Sequence, residues 1–196
     1  MTLAALKSKC LVRTIELGRS IVFALRFCGR PIRIHSSSWV AYRSVVRVCG
    51  GGTITIGRNC AIHPFSMLLT YGGDIRIGDN CSVNPFSIIY GMGGTVIGDG
   101  VRIAAHTVIV SANHNLATDE LPLYLAGVTK KGIQIDDNVW IGAGVRILDG
   151  VRIGKNTIIG AGSVVNRSLP ANATAVGVPA KAIKLRDPEG TNARRE

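Results

Sequence analysis

The sequence predicts an all-β solenoid built from hexapeptide repeats, and three observations carry that reading. Branched apolar residues recur every six positions at Ile135, Ile141, Ile147, Ile153, Ile159 and Val165. The same spacing appears in shorter runs upstream, at Ile56, Ile62, Leu68, at Ile77, Val83, Ile89, and at Ile97, Ile103, Ile109. Turn-forming residues sit between the apolar positions, among them Gly57 with Asn59, Gly78 with Asn80, Asp137 with Asn138, and Gly154 with Asn156. A strand alternates faces every two residues and a helix repeats every 3.6, so neither element alone explains a period of six. Short strands with a corner every six residues do. Three such sides close a triangular coil of roughly 18 residues, and stacked coils bury the apolar ladder while each strand pairs with the one above it.

The chain divides in order into a basic segment at 1–50, the repeats at 51–169, and a C-terminal segment at 170–196. The stretch from Met1 to Arg58 carries ten Lys or Arg against the single acid Glu16, a balance of +9 out of a net +11, so the basicity is local. Residues 1–30 read as a helix that Gly29 and Pro31 close. A basic amphipathic segment suits an anionic membrane surface, or else a solvated face or subunit contact. No nucleic-acid partner is expected, because no reading module follows it. No apolar run reaches the length of a membrane span, and Lys7, Lys9 and Arg13 interrupt the stretch where a secretory signal would be apolar. Five cysteines without paired spacing fit a reducing cytoplasm. Cys60 and Cys81 share one repeat position and read as small core residues.

The repeat register also locates insertions. The steps from Ile56 to Ile77 and from Ile77 to Ile97 each amount to one coil plus a small bulge, so the glycines at 91, 93 and 94 belong to a bulge and not to a phosphate cradle. The step from Ile97 to Ile135 is twice a coil and slightly more, which puts one long inserted loop at about 113–132. Long loops on a rigid scaffold commonly carry function.

The hexapeptide ladder, the loop opening SANHN, the segment NVWIGAGVRIL after it and the ending IIGAGSVVNRSLPANATAVGVPAKAI together resemble the left-handed parallel β-helix acyltransferases, in particular the maltose and galactoside acetyltransferase group and the polysaccharide O-acetyltransferases. The resemblance covers roughly residues 50–186. It supplies the left hand of the coil, which general chirality rules do not favour. It also implies acetyl-CoA as acyl donor with no metal, a carbohydrate acceptor, and a homotrimer with active sites between subunits.

By this resemblance His114, at the start of the loop, is the catalytic general base, since removing a hydroxyl proton near neutral pH suits a neutral imidazole. Asn84, in SVNPFSI, precedes it by the separation at which the family places an acceptor-binding Asn, and is expected one coil below the histidine side. Trp140 lines the acceptor or thioester region, or packs on a neighbouring subunit. Ala143 and Ala161 contact pantetheine through their backbone, Asn166 and Arg167 follow, and Lys181 and Lys184 lie where relatives hold cations for the CoA phosphates. Ala143 and Asn166 replace side chains that relatives commonly use. His35, His63 and His106 read as structural or exposed; Asp119 and Glu120 are candidates to orient His114 or are simply solvated.

These features imply an acetyl-CoA-dependent O-acetyltransferase acting on a sugar hydroxyl. The basic N-terminus points to cell-envelope polysaccharide biosynthesis (O-antigen, capsule or exopolysaccharide), in the cytoplasm and at the inner face of the membrane. The alternatives are an amino-sugar N-acetyltransferase, a noncatalytic scaffold, and a γ-class carbonic anhydrase holding zinc by three histidines.

Overall fold

The computed structural model describes residues 29–186, which form a β-solenoid of six coils with no helix among the described residues. The N-terminal helix expected at 1–30 lies almost wholly outside the described residues. Side 1 stacks Ile32–Ile34, Ile54–Ile56, Ile75–Ile77, Thr95–Ile97, Ile133–Ile135 and Arg152–Ile153 as parallel strands. Side 2 stacks Trp39–Val40, Ala61–Ile62, Ser82–Val83, Arg102–Ile103, Trp140–Ile141, Ile158–Ile159 and Ala173–Gly177, and is closed by the antiparallel strand Ala180–Leu185. Side 3 stacks Val45–Arg47, Met67–Leu69, Ile88–Tyr90, Val108–Ile109, Arg146–Ile147 and Val164–Val165.

The six-residue ladder maps onto this prism one side at a time. Ile135, Ile141 and Ile147 belong to sides 1, 2 and 3 of the fifth coil, and Ile153, Ile159 and Val165 repeat the circuit in the sixth. All six are at most 1% exposed. Each apolar column is thus a pile of aliphatic side chains spaced by the interstrand distance, about 4.8 Å, and burying each stabilises by roughly 1.5–3 kcal/mol.

The corners behave as their composition predicts. Asn59, Asn80, Asn138 and Asn156 hold positive φ at the corner between sides 1 and 2, a conformation that a short polar side chain tolerates. Aspartates lock the same corner from coil to coil: Asp79 accepts the Arg58 amide, Asp99 the Asp79 amide and Asp137 the Asp99 amide, at 2.7–2.9 Å. Cys60 and Cys81 point inward here and donate to the carbonyls of Gly78 and Gly98. The neighbouring Cys60 thiol, together with burial, pushes the Cys81 thiol well above its ordinary range.

The repeat that the sequence places from residue 51 starts one coil earlier, at Ile32, where Ile34, Val40 and Val46 already keep the six-residue spacing. The two small bulges, at Tyr71–Gly73 and Gly91–Gly94, fall at one corner, between sides 3 and 1, and the long loop leaves from that same corner.

Candidate active site

The loop begins as a two-stranded ribbon. Asn113–His114 pairs antiparallel with Val128–Thr129, Asn113 opposite Thr129 and His114 opposite Val128. Asn115 ties the ribbon further, its amide donating to the Gly127 carbonyl at 3.1 Å and its side chain to the Ala126 carbonyl at 2.7 Å. The returning strand is anchored on the solenoid by Asp149 of the fifth coil. Its carboxylate accepts the Gly132 amide at 2.8 Å and the Lys131 amide at 3.0 Å, and the Thr129 hydroxyl lies at 3.4 Å. His114 is exposed on this ribbon, and neither Asp119 nor Glu120 hydrogen-bonds to it among the described residues.

A second set of features occupies the opposite edge of side 3, the corner shared with side 2. Gly142, Ala143 and Gly144 turn this corner in the fifth coil, and Gly160, Ala161 and Gly162 turn it in the sixth. The two turns stack, with the Gly162 amide donating to the Ala143 carbonyl at 2.8 Å. Close stacking explains two of these glycines: a Cβ on Gly142 would fall 2.6 Å from the Ala161 nitrogen, and one on Gly160 2.7 Å from Val176. Lys181 pairs with Val176 in the terminal hairpin, directly beyond this corner, and Lys184 pairs with Thr174 nearer the other end of the strand. Both lysines are exposed and take part in no ion pair among the described residues. Trp140 stands 55% exposed on side 2, two residues before the corner.

Asn84 belongs to this second edge, in the third coil, and its side-chain amide donates to the Ile103 carbonyl at 2.8 Å. It therefore does not lie below His114 within one chain. Asn166 and Arg167, by contrast, follow the last strand of side 3 and share the corner from which the His114 loop leaves. One chain thus places the expected site residues in two groups: His114, Asn166 and Arg167 on one edge of side 3, and Asn84, Ala143, Ala161 and Lys181 on the other. Crossing the side takes four to five extended residues, about 15 Å.

Side 3 itself differs from its neighbours. Its outward positions are Val45, Arg47, Met67, Ile88, Tyr90, Val108, Arg146 and Val164, apolar apart from the two arginines and the tyrosine hydroxyl, whereas side 1 presents Arg33, Thr55, Arg76, Val96, Gln134 and Arg152. A mostly apolar outer face between the two groups has the composition of an association surface.

Below the glycine turns, the same corner carries a column of planar groups that sequence reading passed over. Phe65 stacks on Phe86 at 5.2 Å with 6° between planes, Phe86 stacks on His106 at 5.1 Å with 10°, and the Arg43 guanidinium lies over Phe65. The three rings hold φ of 64°, 61° and 61°. Phe65, Phe86 and His106 are separated by the same two steps as Ile56, Ile77 and Ile97, one coil and then the next, which is the signal that finds them. Asp149 and Asn115 leave no comparable mark. Among the described residues no three His, Cys, Asp or Glu side chains group as metal ligands.

Repeat, corner chemistry and coil topology define a hexapeptide-repeat β-solenoid. The family model for the bacterial transferase hexapeptide (six repeats) matches residues 132–167. The crystal structure of a maltose O-acetyltransferase from Clostridium difficile 630 superposes with a TM-score of 0.60 at 34% identity, over 67% of this chain and 70% of that one. The chain belongs to the hexapeptide-repeat transferase family. A galactoside O-acetyltransferase of Lactococcus lactis is 45% identical over 83 residues, 42% of this chain, and the match spans 39% of that relative's length. The N-acyltransferase AntD from Bacillus cereus, solved with dTDP-4-amino-4,6-dideoxyglucose and coenzyme A, superposes with a TM-score of 0.71 at 25% identity over 84% of this chain and 89% of that one. AntD has also been solved with dTDP and 3-hydroxybutyryl-CoA.

Proposed function

We propose that this chain is an acetyl-CoA-dependent O-acetyltransferase of a sugar hydroxyl, working as a homotrimer in which the His114 edge of one copy faces the glycine corner of the next. The carrying observation is the division of the expected site residues into two groups flanking a mostly apolar side. Association through that side brings the groups together, and the relatives named for galactoside and maltose O-acetylation fit the same reaction.

In the assembled site the pantetheine arm of acetyl-CoA runs along the stacked turns at Ala143 and Ala161, whose backbone groups meet its amides. Lys181 and Lys184 at the hairpin end, with Asn166 and Arg167 across the contact, receive the phosphates, where unpaired cations attract a polyanion. The Oδ1 of Asn84, whose amide nitrogen is already engaged, accepts from an acceptor hydroxyl, and Trp140 borders the same edge. His114 takes the proton of the attacking hydroxyl as its oxygen bonds to the thioester carbonyl carbon. When the C–S bond then breaks, the imidazolium returns that proton to the leaving sulfur, so CoA departs as the thiol and the base is regenerated.

The local basicity of the stretch from Met1 to Arg58 supports an acceptor presented at the cytoplasmic membrane surface, such as an envelope polysaccharide precursor. The likeness to AntD keeps an amino-sugar acceptor as the second reading. The test is calorimetric binding of acetyl-CoA followed by turnover with a panel of sugars and amino sugars. His114→Ala is expected to lower turnover by roughly 10²- to 10⁴-fold while acetyl-CoA affinity changes less than about threefold. Turnover that survives the substitution would remove His114 as base, and preferred transfer to amines would replace the first reading by the second.

A further inference from the structure

The planar column and the glycine turns share one corner, and the transition between them is abrupt. His106 fills the column position in the fourth coil; Gly144 and Gly162 fill it in the fifth and sixth, where the Gly144 amide bonds to the Ala105 carbonyl in the same stacking register. A Cβ on Gly162 would meet nothing within 4 Å, and one on Gly144 would come near only the Arg146 guanidinium and the Gly162 nitrogen. The corner therefore carries a notch two coils high, about 10 Å, bordered at the fifth coil by the Arg146 guanidinium, which donates to the Gly144 carbonyl. Phe86 covers one face of the His106 ring, and among the described residues no other ring stacks on the opposite face, which floors the notch.

We infer that His106 is the acyl-length determinant of this site, its ring acting as the floor on which the acyl group of the bound thioester rests. This rests on the proposed CoA slot and extends it. With the phosphates at the Lys181 end and pantetheine along Ala161 and then Ala143, the thioester reaches the foot of the notch, and its acyl group continues toward His106. A methyl group fits against the ring. A longer chain meets a column that is filled from His106 downward by Phe86, Phe65 and Arg43.

Replacing the ring by hydrogen lowers the floor by one coil, about 4.8 Å, which is the extended length of three to four methylene groups joined by bonds of about 1.5 Å. Glycine suits the positive φ of this position, so His106→Gly continues the pattern of Gly144 and Gly162 without backbone strain. His106→Phe restores a ring that the same corner already accepts at Phe65 and Phe86.

The experiment is calorimetric titration of the full chain with acetyl-, butyryl- and hexanoyl-CoA, which needs no acceptor. The unaltered protein is expected to bind acetyl-CoA more tightly than butyryl-CoA by about 10-fold or more, the usual discrimination of a pocket against extra methylenes. His106→Gly should cut that ratio at least about 10-fold, and His106→Phe should keep it. An unchanged ratio in His106→Gly, or a lost one in His106→Phe, overturns the assignment of the floor while leaving the slot in place. Failure of the unaltered protein to bind any of the three overturns the slot and the floor together.

Discussion

Replacing Asp149 by Ala tests whether the His114 ribbon is held by the solenoid or merely attached to it. The carboxylate accepts the Gly132 and Lys131 amides at 2.8 and 3.0 Å, and the Thr129 hydroxyl that it approaches also reaches the Asn113 carbonyl at 3.3 Å, next to His114. Two charge-assisted bonds at about 1.5 kcal/mol each, the low end for a half-buried acceptor, amount to about 3 kcal/mol. None of the apolar ladder is touched, so the loss falls on local opening of the loop and not on the solenoid. At about 1.4 kcal/mol per decade, that predicts roughly 100-fold faster hydrogen exchange at the amides that bridge the ribbon, Asn115 among them, with exchange in the stacked strands unchanged. Turnover should fall about 10- to 100-fold with little change in acetyl-CoA affinity, because His114 loses its position and the glycine corner does not. The measurement is exchange mass spectrometry on peptides covering 113–132. Unaltered exchange there in Asp149→Ala would show that the ribbon holds itself, and the assigned role of Asp149 would be wrong.

Gly162→Phe places a ring in the open notch where a Cβ meets no neighbour, at a positive φ that costs about 1–2 kcal/mol for a residue with a side chain. The fold should survive with a modestly lower Tm while acetyl-CoA affinity falls at least about 100-fold; retained affinity would move the donor elsewhere. Ile88→Asp puts a charge in the middle of the mostly apolar outer face of side 3, and sedimentation should then report monomer where the unaltered chain reports trimer, with turnover lost alongside. A monomeric unaltered chain that is fully active would refute the shared site. Deleting residues 1–30 removes six of the 23 Lys and Arg and should weaken partition onto anionic liposomes, most visibly at low ionic strength; equal partition would end the membrane reading.

Much of the fold was legible in one dimension because a period of six is incompatible with a single long strand or helix. Ile135 through Val165 stand in the structure where the period puts them, and the corner asparagines hold the positive φ that their composition implies. The loop boundaries follow from the length of chain between Ile97 and Ile135, and the observed ribbon opens at Asn113 as that length implies. The first coil was equally encoded by Ile34, Val40 and Val46, but its outward arginines and aromatics obscure so short a run.

What the sequence by itself determined, then, is the repeating side, since each strand and corner depends on residues within a few positions of one another. What only the tertiary structure decided is which corner each side chain occupies and what stands above and below it. Asn84 and His114 differ by one coil and part of a circuit, and that fraction puts them on opposite edges of side 3. Phe65, Phe86 and His106 are far apart in the chain yet stack within about 5 Å, while Asp149 reaches back 17 and 18 residues to hold the loop. Such contacts depend on total coil length, insertions included, and on the direction a side chain leaves its corner. Both are set by closure of the whole prism and not by any local pattern.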